Sequence, residues 1–351
     1  MIGRKMIAWY EIHKRNLPWR DTENPYLIWV SEIILQQTRV VQGLDYYRRF
    51  VEAYPDILSL AHADIDDVLK IWQGLGYYSR ARNMHAAAKY LVREHQGIFP
   101  ASYDGLITIK GIGDYTASAI ASLAFGQAVP VIDGNVNRVI ARLYGIQQPV
   151  NKPEGQKEIR ACAEKMMVRD EPATYNQAIM EFGALQCVPK NPDCDGCVLN
   201  RSCVAFRNGM VNVLPVKLKT TKIATRYFHY LYVRLGNRTF IRRRTAGDIW
   251  TGLYEFPLIE TAAETGLDEL ILHPDWQSYF EGQAPLVESV SSEVLHRLTH
   301  RVLKIKFYKI TVNQPICGQD FVEIPEDNVH LYAVPKVIDN FFSTGYHAKI
   351  L

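Results

Sequence analysis

The fold is indicated most directly by the stretch Lys110-Gly111-Ile112-Gly113-Asp114-Tyr115-Thr116-Ala117. A short helical pattern after Asp104 precedes it, and a helix of small residues from Tyr115 to Ala124 follows. Gly111 and Gly113 would let backbone amides approach a phosphate at the start of the second helix, where the helix dipole also favours an anion. The stretch therefore predicts a phosphate-binding turn between two helices. A tight turn without a ligand is the alternative reading.

A cluster of cysteines downstream is the most specific chemical signal. Four of the six cysteines fall within one short segment, namely Cys187, Cys194, Cys197 and Cys203. Four thiolates are what an iron–sulfur cube requires, whereas zinc ribbons usually carry two Cys-x-x-Cys pairs separated by a longer loop. Only one such pair is present here. The spacing favours a [4Fe-4S] cluster over zinc.

Length and pattern predict a multidomain chain. With 351 residues and 48% hydrophobic content, one compact core is less expected than two. The first part reads as helices joined by short turns, whereas Tyr227–Val233, Thr239–Arg243 and Val302–Thr311 are rich in β-branched and aromatic residues and read as strands. We expect an all-α domain over residues 1–207, a basic linker over 208–225 and a mixed α/β domain over 226–351.

The distribution of charge is more informative than the net value of +3. No Asp or Glu occurs from Gly196 through Gly247. The basic residues in that window are Arg201, Arg207, Lys217, Lys219, Lys222, Arg226, Arg234, Arg238, Arg242, Arg243 and Arg244. Such a stretch is typical of a phosphate-facing strip or of a solvated basic linker, and both readings stay open.

The sequence suggests a cytoplasmic, nucleoid-associated location. Neither a signal peptide nor a transit sequence is convincing at the N-terminus, and no window is long and apolar enough to cross a membrane. In a reducing compartment, clustered cysteines favour metal ligation over disulfides.

Several ordered motifs resemble one superfamily of DNA glycosylases. The hairpin, the acidic motif Val131-Ile132-Asp133-Gly134-Asn135-Val136 and the cysteine loop are similar to the endonuclease III superfamily. Three further motifs look like its adenine-specific branch: Leu17-Pro18-Trp19-Arg20, Trp29-Val30-Ser31-Glu32-Ile33-Ile34-Leu35-Gln36-Gln37-Thr38 and Gly74-Leu75-Gly76-Tyr77-Tyr78-Ser79-Arg80. The resemblance covers nearly all of residues 7 to 207. It implies a helix-hairpin-helix glycosylase domain with an iron–sulfur cluster loop.

Two acidic residues have surroundings suited to breaking an N-glycosidic bond. Glu32 lies among apolar residues of a helix pattern, where burial should raise its pKa and retain a proton. Asp133 precedes a helix, whose positive end should hold it ionised. The resemblance assigns Glu32 as general acid and Asp133 as stabiliser of the sugar cation, with Asn135 beside it. A solvated Glu32 and an ordinary helix cap at Asp133 are the alternatives.

Other site residues follow from the same resemblance. Bifunctional relatives carry a lysine where this chain has Tyr115, which implies a glycosylase without an efficient lyase step. Gln37 and Tyr77 are expected to fill or wedge the space near the mismatch once the target base has left the duplex, and Gln36 belongs to the same loop as Gln37. Trp19, Arg20 and Gln177 are expected to help form the adenine pocket.

The C-terminal region resembles a Nudix-type α/β fold whose catalytic helix is degraded. Ile259 replaces the expected arginine and Ala263 a ligand glutamate, so bound metal and pyrophosphate hydrolysis are not expected. The resemblance implies a lesion-reading domain instead. Where the family typically shows Phe-Ser-His, this chain has Leu298-Thr299-His300, so Thr299 and His300 keep the hydroxyl and imidazole.

The resulting expectation is a monofunctional adenine DNA glycosylase, acting as a monomer on double-stranded DNA with adenine opposite 8-oxoguanine or guanine. The main alternatives are an endonuclease III-like glycosylase and lyase for oxidised pyrimidines, and a non-catalytic iron–sulfur protein that binds damaged DNA. A nucleotide pyrophosphatase is a further, weaker alternative.

Overall fold

Two compact units make up the chain. A computed structural model describes residues 2–218, 223–245, 247–318, 320–344 and 348–350. Contacts group Met1–His62 with Asn83–Lys219, and Ala63–Arg82 with Thr220–Leu351. The segment 63–82 therefore packs with the C-terminal part of the chain, although it lies in the middle of the helical region in sequence. The expected boundaries 1–207, 208–225 and 226–351 remain a prediction.

Helices account for nearly all regular structure of the first unit. In chain order the α-helices are α1 Ile2–His13, α2 Pro25–Leu35, α3 Val40–Ala53, α4 Ile57–His62, α5 Ile65–Ile71, α6 Ser79–His95, α7 Tyr103–Ile107, α8 Asp114–Leu123, α9 Gly134–Tyr144, α10 Pro153–Met166, α11 Pro172–Leu185, α12 Val204–Arg207, α13 Leu267–Leu270, α14 Pro274–Tyr279 and α15 Lys336–Thr344. α5, the first turn of α6 and the last three helices, α13 to α15, belong to the second unit.

Local sequence explains where the site-bearing helices begin and end. Asn24 caps α2 through its side chain, and Pro25 occupies the first turn, where a missing N–H costs nothing. Asp133 caps α9, which ends at Gly145 with a left-handed φ of 71°. The predicted helix-hairpin-helix is present as α7, a turn and α8.

One core of the first unit lies beneath the cysteine loop. Buried side chains from α1, α9 and α11 include Trp9, Ile140, Tyr175 and Phe182. The partly buried Cys187, Cys197 and Cys203 pack against this core. The cysteine loop is therefore attached to the helices that also carry Asp133 and Gln177.

The second unit is built on a mixed sheet. Its strands are β1 Ala224–Leu235, β2 Arg238–Arg243, β3 Tyr254–Glu255, β4 Leu258–Thr261, β5 Leu286–Ser291, β6 Val294–Arg297, β7 Arg301–Thr311, β8 Phe321–Pro325 and β9 Ala348–Ile350. The main path runs β3-β2-β1-β7-β5-β9, with β4 on β1, β6 on β7 and β8 on β2. β1 and β7 are parallel, and the other pairs are antiparallel.

Alternation along β1 builds a core on each face of this sheet. Phe228, Tyr230 and Tyr232 enter one buried cluster, whereas Leu231 and Val233 enter another. Both faces of β1 are covered, which explains its nearly continuous run of apolar residues.

The basic window is largely neutralised within the second unit. The six arginines from 226 to 244 all form ion pairs with Asp or Glu from elsewhere in that unit. The single carboxylate of Asp248 forms ion pairs with Arg226, Arg244 and Arg301. A continuous phosphate-facing strip is therefore wrong for this part of the window, because its charges are already paired. Lys219 and Lys222 lie outside the described residues.

Within the described parts of the chain, no helix combines the length and apolar character needed to cross a membrane.

Candidate active site

Glu32 is enclosed in the first unit. Its residue is 5% exposed and lies on α2 among buried apolar neighbours. Burial raises the pKa of the carboxyl to about 7, and the charge of Asp133 acts in the same direction, whereas the hydrogen bond from Tyr115 lowers it. A solvated Glu32 is therefore wrong, and a group of this pKa can hold a proton near neutral pH.

Tyr115 contacts Glu32 directly. Its hydroxyl donates a hydrogen bond to Glu32 Oε2 and also lies 3.8 Å from Met180 Sδ. Burial raises the pKa of the phenol well above its ordinary value, and the nearby carboxyls add to the shift. Tyr115 is therefore a neutral donor to the buried carboxyl.

Asp133 is held by two hydrogen bonds. Val136 N donates to its Oδ1 at 2.7 Å, and Asn135 Nδ2 donates to Oδ2 at 2.9 Å. Burial raises the pKa of Asp133, while these hydrogen bonds and the charge of Arg138 oppose the shift. The helix terminus acts as expected, but burial outweighs it. Asp133 both caps α9 and lies close enough to Glu32 to affect its pKa. Its capping role therefore does not exclude a catalytic one.

Arg138 connects Asn135 to the start of the cysteine loop. Its guanidinium donates to Asn135 Oδ1 at 2.9 Å, to Gly183 O at 2.7 Å and to Cys187 O at 2.8 Å. A Cβ on Gly183 would lie 2.7 Å from Asn135 Cβ, so only glycine permits this close approach. The sequence analysis missed Arg138, although its position one helical turn after Asn135 was a usable signal.

The expected adenine-pocket residues share one cleft. Trp19, Arg20 and Gln177 line a cavity of about 610 Å³ in the first unit. The charge of Arg20 also lowers the pKa of Glu32, so this cleft lies within electrostatic reach of the buried acid.

Glu181 orients the arginines of this cleft and was missed from the sequence. It is 1% exposed and accepts hydrogen bonds from Arg20 Nη2 at 2.6 Å and Arg15 Nη2 at 2.5 Å. Burial raises its pKa, but the two guanidinium groups outweigh burial and lower the pKa to about 2. Arg20 Nε has no hydrogen-bond partner among the described residues, so one buried donor remains available. Glu181 lies four residues after Gln177 on α11, the same helical face.

The hairpin glycines behave differently from each other. Gly111 has φ 98°, and a Cβ there would lie 3.2 Å from Asn83, so its conformation and space both require glycine. Gly113 caps α8 with φ −89°, and a Cβ would meet open space. Open space at the amino end of α8 is compatible with approach of a DNA phosphate.

The residues expected near the mismatch have unusual backbones. Gln37 and Tyr77 are both non-glycine residues with left-handed φ, 59° and 49°. Such strain is enriched at functional sites. The neighbouring Gln36 donates a hydrogen bond from Nε2 to Thr116 Oγ1 at 3.4 Å.

The predicted lesion-reading segment lies at a hairpin tip in the second unit. Leu298-Thr299-His300 joins β6 to β7, and Leu298 N donates to Arg301 O at 2.8 Å across the turn. Thr299 and His300 are exposed, while Leu298 packs against the sheet core. Thr299 Oγ1 lies 2.7 Å from the Tyr77 hydroxyl, so two predicted site residues meet within this unit.

Residues 259–266, which resemble the start of the Nudix helix, are not helical. Leu258–Thr261 forms β4, and Ile259 is a buried core residue.

The four loop cysteines line one cavity in the first unit: Cys187, Cys194, Cys197 and Cys203. Two donors point at sulfur, since Leu199 N lies 3.4 Å from Cys197 Sγ and Arg142 Nη1 lies 3.5 Å from Cys187 Sγ. N–H donors of this kind stabilise thiolates that ligate iron. Arg142 also donates to Val188 O and Pro189 O, which holds the loop in place. Four thiols around one cavity are the donor set that an iron–sulfur cluster requires, although the described side chains do not converge into a group that holds a metal ion.

Known proteins agree with this architecture. Residues 30–172 match the HhH-GPD superfamily of base excision DNA repair proteins, and residues 229–344 match the NUDIX domain. A protein named adenine DNA glycosylase from Buchnera aphidicola subsp. Schizaphis graminum is 36% identical over 76% of this chain and 77% of its own length. One of the same name from Buchnera aphidicola subsp. Acyrthosiphon pisum is 32% identical, covering 92% of this chain and 89% of the relative.

The chain belongs to the adenine DNA glycosylase family. Its helical unit is similar to a solved thermostable thymine-DNA glycosylase, with a TM-score of 0.55 and 25% identity over 59% of this chain and 95% of that structure. The predicted fold, a helix-hairpin-helix glycosylase domain followed by a Nudix-like α/β domain, is confirmed. Membership in this family favours the adenine-specific reading over the endonuclease III-like alternative for oxidised pyrimidines.

Proposed function

We propose that the chain hydrolyses the N-glycosidic bond of adenine that faces 8-oxoguanine or guanine in double-stranded DNA, as a monomer associated with the nucleoid. The observation that carries the proposal is the buried Glu32, whose pKa is raised to about 7 beside Tyr115 and within the field of Asp133. One carboxyl that keeps a proton and a second held by hydrogen bonds form the pair that glycoside cleavage needs.

Each carboxyl has a defined role in the proposed reaction. Protonated Glu32 donates its proton to a ring nitrogen of the flipped adenine as the bond to C1′ breaks and its electron pair leaves with the base. The Asp133 carboxylate stabilises the positive charge on the sugar. Water then adds to C1′, and its proton returns to the Glu32 carboxylate. Asn135 keeps Asp133 oriented through its side-chain N–H.

The cleft provides the means to hold the base. Trp19 gives an aromatic face, and Arg20 and Gln177 supply hydrogen-bonding groups. Glu181 restrains Arg20, so the pocket would be preorganised before the adenine arrives. Gln36, Gln37 and Tyr77 would occupy the space that the base leaves, and Thr299 with His300 would contact the opposite base.

Base release from three duplexes tests this function. Adenine opposite 8-oxoguanine, adenine opposite guanine and an oxidised thymine are to be assayed side by side under single-turnover conditions. We expect release of adenine only. Release of oxidised thymine without release of adenine would establish the endonuclease III-like alternative, and tight binding to the lesions without any release would indicate a damage-binding protein.

The loop cysteines are proposed to hold a [4Fe-4S] cluster, which would supply a rigid cross-link of the loop. Anaerobically purified protein should be brown and contain iron and inorganic sulfide in equal amounts. Cys197→Ser should reduce the bound iron, whereas Cys162→Ser, a cysteine outside the loop, should leave it unchanged. Stoichiometric zinc without inorganic sulfide would contradict the cluster.

Tyr115→Lys tests the proposed lack of lyase chemistry. The substitution places an amine where bifunctional relatives carry theirs, so borohydride should trap a covalent complex and strand cleavage should appear. An ammonium group beside Glu32 would also lower the pKa of that carboxyl, so base release should slow. Strong nicking by the unsubstituted protein before any heat or alkali treatment would contradict the monofunctional reaction.

A further inference from the structure

Residues 214–218, here called the strap, follow the cysteine loop and pack on the first unit. Val150 N donates a hydrogen bond to Val216 O at 3.0 Å. The Asn151 side chain bonds both backbone groups of Leu218, since Leu218 N donates to Oδ1 at 3.1 Å and Nδ2 donates to Leu218 O at 2.9 Å. The backbone of the strap is therefore held at two successive alternate residues.

Arg142 on α9 joins the strap to the cysteine loop. The residue is 3% exposed, and its Nε donates to Leu214 O at 3.0 Å. On the other side of the guanidinium, Nη1 donates to Val188 O at 2.8 Å and Nη2 to Pro189 O at 3.0 Å. A guanidinium is a rigid plane, so the donors that face the strap and those that face the loop cannot move independently. One buried side chain thus fixes both segments.

Lys217 has an exposed side chain in the middle of the strap, but the backbone on either side of it is bonded. Val216, before it, accepts the hydrogen bond from Val150, and Leu218, after it, is bonded to Asn151. A protease binds several residues of free, extended backbone, so it can cut after Lys217 only when the strap has left the unit. The rate of cutting therefore measures how often the strap opens.

We propose that the strap is a conformational device that reports whether the cysteine loop is ordered. While Val188 and Pro189 accept from Arg142, the guanidinium holds Leu214 and the chain between the two units resists proteolysis. When the loop loses its order, Arg142 loses these acceptors, the strap opens, and the chain can be cut between its units. The link to assembly of the loop rests on the proposed iron–sulfur cluster, whereas the docking of the strap does not.

Limited digestion of the full chain with trypsin tests the docking, with each cut located by mass spectrometry. Asn151→Ala should speed cutting after Lys217 about tenfold, the value of two ordinary hydrogen bonds. Arg142→Gln should speed it about 10²-fold, because buried hydrogen bonds from a charged donor are lost. Cutting after Lys157, which is exposed in the middle of α10, reports unfolding of the whole unit and should stay at the parental rate in Asn151→Ala. Arg160→Gln is the matched control, since this partly exposed arginine of α10 pairs with Asp114, and it should change neither rate.

Two cysteine variants test the link to the loop. Cys197→Ser, in which less iron is expected, should be cut after Lys217 nearly as fast as Arg142→Gln. Cys162→Ser, which changes a cysteine outside the loop, should be cut at the parental rate.

The possible failures are distinguishable. A parental rate of cutting after Lys217 in Asn151→Ala, or equal acceleration after Lys217 and Lys157 in that variant, would overturn the docking. An iron-free Cys197→Ser protein that is cut as slowly as the parent would overturn the link to the loop. Absence of iron from the parent protein would contradict the proposed cluster instead, and the Asn151 variant would still test the strap.

Discussion

Glu32→Gln should lower the single-turnover rate of adenine release by about 10² to 10⁴-fold, the usual contribution of a positioned proton donor. The amide preserves the size of the side chain and can still accept the hydrogen bond from Tyr115, but it cannot supply a proton. Binding of the mismatched duplex should therefore change little. A near-parental rate in this variant would contradict the assignment of Glu32 as the acid.

The pH dependence provides an independent measurement of the same role. Because Glu32 acts in its protonated form and burial raises its pKa to about 7, the rate should be highest below that pH and fall about tenfold per pH unit above it. Tyr115→Phe removes a hydrogen bond that lowers this pKa, so the alkaline fall should move to higher pH. A fall that moves to lower pH in this variant would show that the titrating group is not Glu32.

Asp133→Asn should reduce the rate of base release by about 10² to 10³-fold, the typical loss when one charge-stabilising group is removed from an active site. Asparagine can still cap α9 by accepting from Val136 N, so folding and DNA binding should be retained. The negative charge facing the sugar cation would be lost. Burial raises the pKa of Asp133, so the parent enzyme should also lose activity toward acidic pH as this group is protonated.

Asn135→Ala is the matched control for Asp133. It removes the hydrogen bond to the carboxylate and the one that Asn135 accepts from Arg138, but it keeps the charge of Asp133. We therefore expect a loss of only about fivefold. Equal losses in the Asn135 and Asp133 variants would show that orientation of the loop, not charge on Asp133, limits the reaction.

Features set by neighbouring residues were predictable from the sequence. Asn24 with Pro25, Asp133 and Gly145 mark helix ends through contacts within one turn, and the structure has them there. The cysteine spacing and the glycine hairpin are equally local. Glu32 was expected to be buried because the apolar residues around it in the helix pattern leave little solvated surface, and it is 5% exposed.

The bonds that shape the site depend on residues far apart in the chain. Glu181 meets Arg20 across 161 positions, and Tyr115 meets Glu32 across 83. No periodicity specifies such partners, because a side chain's charge does not reveal which distant residue will neutralise it. The arginines of β1 and β2 show the consequence, since a run without acidic residues in sequence is paired with carboxylates in space.

The sequence by itself determined the helix ends, the alternating strands and the spacing of the cysteine loop, because each depends on local conformational preference and on the chemistry of the residue. The roles of the two carboxyls stay a prediction from the resemblance. Three arrangements were decided only by the tertiary structure. Tyr115 donates a hydrogen bond to Glu32, and Arg138 connects Asn135 to the cysteine loop. Residues 63–82 pack with the sheet of the second unit. Those arrangements arise from packing of side chains that meet only when the whole chain has buried its apolar surface.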